Sequence, residues 1–189
     1  DRIRARTSGS FIHALKNRLD FNSILSDHYH YTSSGPEVGE HWDKSSQAIN
    51  LISIPSIFYG SSIKKGSVSL RYYVSGTLVG ELQDVRKNGD LVQVGPSTPG
   101  SGIGSGSVAG VVMYKEGFLL LTGSWDLSPS GAAAMAAFAQ RDVFGSLLPL
   151  QDRPKWINFC AGLRPDSDQT PRPDRRNFSG SYAIDFLGT

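Results

Sequence analysis

The sequence predicts a mainly β protein, an antiparallel β-sandwich or jelly-roll-like domain with two short helices and long loops. Three observations carry this. Residues 108–127 hold two apolar runs, Val108-Ala109-Gly110-Val111-Val112-Met113 and Phe118-Leu119-Leu120-Leu121, which read as two buried strands turning on Lys115-Glu116-Gly117. Residues 67–82 contain the period of two that marks an amphipathic strand: Val68, Leu70, Tyr72 and Val74 fall on one face, Ser67, Ser69, Arg71, Tyr73 and Ser75 on the other. About eight such short segments, broken by turn residues, favour an antiparallel architecture over an alternating α/β one.

Taken in order, the chain opens with a segment read as an N-terminal arm and short amphipathic helix over residues 1–21. Phe11, Leu15 and Leu19 recur at four-residue spacing, and Ser10 is placed to cap the first turn. Residues 22–189 are read as a single β domain. The stretch 21–44 is polar and irregular, a loop or an edge strand pair, with Ser33-Ser34-Gly35-Pro36 as a turn. Ile49, Leu51, Ile52 and Ile54 form a strand that Pro55 stops. Ser56-Ile57-Phe58-Tyr59-Gly60 is a second short apolar unit, and Lys64-Lys65-Gly66 a turn.

Gly76 breaks the amphipathic strand, and Thr77-Leu78-Val79-Gly80-Glu81-Leu82 resumes it. Lys87-Asn88-Gly89-Asp90 is a hairpin turn in which Asn-Gly suits positive φ, with Leu91, Val92 and Val94 on the return strand. Residues 95–107 are too glycine-rich to hold an element and read as a surface loop. After the hairpin, Ser128-Pro129-Ser130 precedes an alanine-rich helix whose small side chains, Ala133 and Ala137 among them, permit close approach to a sheet or another chain. Trp156-Ile157-Asn158-Phe159-Cys160-Ala161 reads as a strand, residues 165–173 as a loop, and Phe178, Tyr182, Ile184 and Phe186 mark a last strand.

Composition narrows the functional classes. A chain of 189 residues is long enough to bury roughly two thirds of its unfolded surface without disulfides. The single Cys160 has no partner in the sequence and reads as a buried, inert thiol. A net charge of +2 gives no field for nucleic acid. No apolar run approaches the roughly 20 residues that span a bilayer, so neither partner is expected. Arg2, Arg4 and Arg6, and Arg172, Arg175 and Arg176 with Asp166, Asp168 and Asp174 nearby, read as solvated segments or as docking elements for another chain.

Few residues suggest chemistry. His28, His30 and His41 fall in one polar segment, and a His-x-His pair on a strand would turn both rings to one face, as a metal site needs. No carboxylate stands at a ligand spacing, and the weight lies with an exposed aromatic edge. Glu37, Glu40 and Asp43 would need a cleft to act as a glycosidase pair. The glycines of residues 100–106 lack the Lys-Ser/Thr end of a phosphate loop, and no serine sits in a nucleophile elbow. No cofactor is expected. Flat rings on a β scaffold suit sugar stacking; Trp125 and Trp156 lie in apolar runs and read as core, while Tyr29, Tyr31, Trp42 and Tyr73 read as surface positions.

The segments Ile54-Pro55-Ser56-Ile57-Phe58-Tyr59-Gly60-Ser61-Ser62-Ile63-Lys64-Lys65-Gly66-Ser67-Val68-Ser69-Leu70 and Val108-Ala109-Gly110-Val111-Val112-Met113-Tyr114-Lys115-Glu116-Gly117-Phe118-Leu119, continued by Gly123-Ser124-Trp125, resemble β-rich virion structural proteins of tailed phages, especially marine cyanophages with contractile tails. The likeness spans residues 48–127 and, more weakly, 178–189; residues 132–139 and 164–176 depart from it. It implies a non-enzymatic structural subunit localised to the virion, in tail, baseplate or capsid. Its partners would be other virion proteins and copies of itself, and the chain a segment of a longer polypeptide. Interface candidates are then Phe11, Leu15, Leu19, Ala133 and Ala137. The competing classes are a glycan- or receptor-binding module, using Tyr29, Tyr31, Trp42 and Tyr73, and a hydrolase or depolymerase.

Overall fold

A computed structural model describes residues 10–31, 44, 47–74, 76–95, 106–125, 127, 154–160 and 180–189. The chain divides into two compact units, Asp1–Gln47 and Ala48–Thr189.

In the first unit, helix α1 spans Ser10–Asn22. Leu19 is fully buried and Leu15 half-buried, as their four-residue spacing requires of one helix face. The Phe11 side chain lies outside the described residues. Asn22 Nδ2 donates to the Arg18 carbonyl (2.9 Å) and Ser23 Oγ to the Asp20 carbonyl (2.7 Å), which satisfies acceptors the last turn would leave open. Asp20 Oδ1 then accepts the Tyr31 N–H at 3.3 Å and ties the helix to the following turn.

The second unit is mainly β and antiparallel throughout. Its strands among the described residues are β1 (Asn50–Ser53), β2 (Ser69–Val74), β3 (Thr77–Gln83), β4 (Asp90–Gly95), β5 (Val108–Met113), β6 (Phe118–Leu121) and β7 (Gly180–Asp185). All seven lie in one sheet of order β1-β6-β5-β4-β3-β2-β7. Strands β2 to β6 are a meander, with β1 added outside β6 and β7 outside β2. Val68, Leu70 and Tyr72 are buried, so the period-two reading of this stretch holds. Residue Gly117 turns β5 into β6 at φ +68°, with the Tyr59 ring so close that a side chain there would collide with it.

The sheet curls, because one residue reaches both of its edges. Phe159 accepts a hydrogen bond on its carbonyl from Asn50 Nδ2 of β1 (2.6 Å), and its ring lies 5.0 Å from that of Tyr182 on β7. Trp156 and Phe159, both fully buried, fill the trough. Tyr72 packs against both, at ring distances of 6.2 and 5.7 Å. Gly80 lies opposite Tyr72 in the ladder, and a Cβ there would sit 2.5 Å from Trp156 Cζ2, so only glycine leaves room for the indole. These residues do not form the strand expected over 156–161: Trp156–Asn158 is a 3-10 turn, which sends Trp156 and Phe159, three apart, to the same side. The apolar unit at 56–60 is likewise a 3-10 turn, Ser56–Phe58. The alanine-rich segment with Ala133 and Ala137 lies outside the described residues, as does Phe178.

The two ends of the sheet differ. At one, the tight-turn end, short turns join β3 to β4 and β5 to β6, and residues 54–68 lead from β1 to β2; at the other β4 stops at Gly95 and β5 and β7 begin. Asp84, buried just past β3, staples the tight-turn end by accepting from the Gly66 N–H (2.7 Å), the Gly89 N–H (3.3 Å) and the Tyr114 hydroxyl. Three separate turns thus share one carboxylate. Between β3 and β4 it is Lys87 (φ +56°) and Gly89 (φ +95°) that take positive φ, while the Asn88 side chain both donates to Asp90 Oδ2 (3.0 Å) and accepts the Asp90 N–H (3.1 Å). Ile63 closes this end, bridging to Gly188 and donating its N–H to the Tyr114 carbonyl at 2.9 Å.

Replacing Asp84 with Ala strands three donors, those of Gly89 and Tyr114 on buried residues, and is expected to cost about 3 kcal/mol of unfolding free energy. Urea titration checks this, and an unchanged midpoint would show that the turns hold without the shared carboxylate.

Candidate functional site

Near the Gly95 end of β4, the fully buried Gln93 collects two tryptophans. Its Oε1 accepts from Trp125 Nε1 at 2.8 Å and from Trp156 Nε1 at 3.0 Å, which fixes the amide orientation, since indole nitrogens only donate. Its Nε2 has no acceptor among the described residues. The Ile157 N–H bonds the Gly123 carbonyl (3.0 Å) and the Leu127 N–H the Pro154 carbonyl (2.9 Å), so the segment carrying Trp156 is laced to the one carrying Trp125. Both rings pack with the core, Trp156 fully buried and Trp125 half-buried, as their apolar context implied. Nearby, burial and then a hydrogen bond to Tyr182 push the Tyr72 phenol well above its ordinary range, which keeps it neutral.

Among the described residues, those with chemical potential are spread and structurally engaged. Asp27–Tyr29 is a 3-10 turn capped by Ser26, whose Oγ accepts the His28 N–H at 3.2 Å and bonds its Nδ1 at 3.1 Å. This corrects the strand-edge reading, and with it the face shared by His28 and His30. Among the described residues no three His, Cys, Asp or Glu side chains group as a metal site. His41 and Trp42 lie outside the described residues. Tyr29 is fully buried, which corrects its placement on a surface platform; Tyr31 is half-buried, and Tyr73 is half-buried on the outward face of β2. Cys160 is exposed rather than buried, at φ +56° just past the 3-10 turn, although local desolvation raises its thiol pKa and lowers its reactivity.

The surface feature that stands out is apolar and lies at the tight-turn end. The turn Ser56–Phe58 exposes Ile57 (86%) and Phe58 (67%), and Leu187 is 58% exposed on the segment after β7. The backbone under these side chains is pinned. The Thr189 N–H donates to the Tyr59 carbonyl (3.1 Å), the Ser61 N–H to the Thr189 carbonyl (3.1 Å), the Lys64 N–H to the Leu187 carbonyl (2.8 Å) and the Leu187 N–H to Ser67 Oγ (3.0 Å). In the first unit Phe21 and Ile24 are exposed in the same way. Large apolar side chains held outward on a hydrogen-bonded frame are suited to burial against another molecule. Hydrophobicity made residues 56–60 visible in the sequence, but the side they face depends on the turn.

No protein-family model matches the chain, and neither a curated protein nor a solved structure is detectably similar to it.

Gln93→Leu removes the acceptor of two indole N–H groups, that of Trp156 buried and that of Trp125 part-buried, and is expected to cost about 2 kcal/mol, with a change in tryptophan emission. Denaturant unfolding followed by fluorescence measures both. A Leu variant as stable as the parent would show that the shared acceptor does not hold the two segments.

Proposed function

We propose that the chain is a non-enzymatic assembly module, a structural subunit of a bacteriophage virion that works through contacts with copies of itself and with other virion proteins. The observation that carries this reading is the exposed apolar set Ile57, Phe58 and Leu187 on a pinned backbone. Such a surface is ready to be buried without first being ordered, which keeps the entropic cost of association low. The virion assignment itself rests on the likeness at residues 54–70 and 108–125. In fold terms the proposal keeps the sandwich- or jelly-roll-like architecture, the two halves of the curled sheet facing each other across the Trp156 and Phe159 core.

The buried carboxylates among the described residues, Asp84 and Asp90, fit this reading, because each is engaged in holding turns. Asp84 serves three turns, and Asp90 Oδ2 accepts from Asn88 Nδ2 and pairs with Arg86 Nη1 at 3.1 Å.

Light scattering over a concentration series tests the proposal. The chain is expected to form a defined oligomer, and Ile57→Ser combined with Phe58→Ser to weaken it about tenfold or more with no loss of thermal stability, since both side chains are already in water. A monomer at every concentration would contradict the proposal.

A further inference from the structure

Strand β7 bonds β2 on one side and no other strand among the described residues on its other side. An edge of this kind offers a row of main-chain donors and acceptors, and proteins commonly blunt it with lysine, proline or a bulge. The sequence Gly180-Ser181-Tyr182-Ala183-Ile184-Asp185 contains neither lysine nor proline, and its register with β2 is unbroken. Its one charge, Asp185, is paired with Arg71 of β2. Tyr182 and Ile184 pack against the core yet stay only half-buried, so the apolar interior runs out to this edge. The opposite edge is a poorer candidate: β1 spans only Asn50–Ser53, and Asn50 is bonded to Phe159 of the 3-10 segment.

We infer that β7 is the docking edge for a second copy of this chain, joined antiparallel β7 to β7 about Ala183. This rests on the reading of the chain as an assembly subunit and gives it a self-contact in addition to the apolar surface at Ile57, Phe58 and Leu187. Self-complementarity selects the occupant. Pairing about Ala183 sets Tyr182 opposite the partner's Ile184, which extends the apolar face across the joint. It sets Ser181 opposite the partner's Asp185, so the hydroxyl faces the carboxylate, and it holds the two Asp185 side chains at opposite ends of the pair. Pairing about Tyr182 would instead put Ile184 against Gly180 and leave its side chain without a match. The result is an isologous two-fold contact in which one strand satisfies its own copy.

The test uses position 183 on the outward face, where Ala183 stands beside Arg71. Ala183→Glu in the full chain places a carboxylate across from Arg71 within one molecule, a favourable pair, but across from its own copy in the dimer. Sedimentation is expected to show a wild-type dimer, weakened about tenfold or more in Ala183→Glu and likewise in Ala183→Lys, with an equal mixture of the two recovering it. A dimer unaffected by Ala183→Glu overturns the inference, as does a mixture that fails to recover. Association that survives Ala183→Glu and disappears with Ile57→Ser and Phe58→Ser overturns the edge while leaving the subunit reading in place. A monomer at all concentrations overturns both.

Discussion

The second unit depends on the seating of Trp156 and Phe159 in the trough of the curled sheet. Neither residue belongs to a strand, yet their rings meet Tyr72 of β2 and Phe159 also meets Tyr182 of β7, while the Phe159 carbonyl holds Asn50 of β1. A seven-stranded antiparallel sheet with free ends has no reason of its own to bring its edges to the same residue. Burying an indole removes on the order of 200 Å² from water, a gain of roughly 5 kcal/mol before entropy is counted. Gly80 leaves the space for this side chain, and Gln93 orients it through a shared acceptor. Sequence, curvature and core are linked at that point.

A division of labour follows along the strands. The tight-turn end is stapled by Asp84 and closed by the hydrogen bonds that join residues 59–64 to 187–189. Rigid backbone therefore lies under Ile57, Phe58 and Leu187, and an apolar side chain exposed on rigid backbone differs physically from one exposed on a mobile loop. Its ordering cost has already been met by folding, and a partner need only exclude water from it.

Much of the sheet was legible in the sequence. The alternation at Val68, Leu70 and Tyr72 places them inside, Gly76 turns β2 into β3 at φ +81°, and Gly117 turns β5 into β6, because period two and glycine report local geometry directly. Around Tyr29 and Trp156 the element differs from the expected strand, since each lies in a 3-10 turn whose apolar composition resembles a short strand; the core position of Trp156 is legible all the same, and three-residue spacing, not alternation, decides where those side chains go. Gln93 lies between Val92 and Val94, and a glutamine inside a continuous apolar strand is a signal for a buried polar anchor. The contact surfaces were less legible still. A sequence records which side chains are apolar, whereas exposure at Phe58 and the half-burial of Ile184 are properties of the assembled sheet.

A closed aromatic interior is joined to an exterior with two kinds of open surface, apolar side chains at the tight-turn end and a β7 edge that no other described strand covers. The proposal is that another chain completes these surfaces. Amide hydrogen exchange at low and high protein concentration distinguishes them strand by strand. Amides of β7 are expected to slow as concentration rises while those of β1 keep their rates. Exchange in β7 that is independent of concentration, or protection that appears at β1 instead, would contradict the proposal.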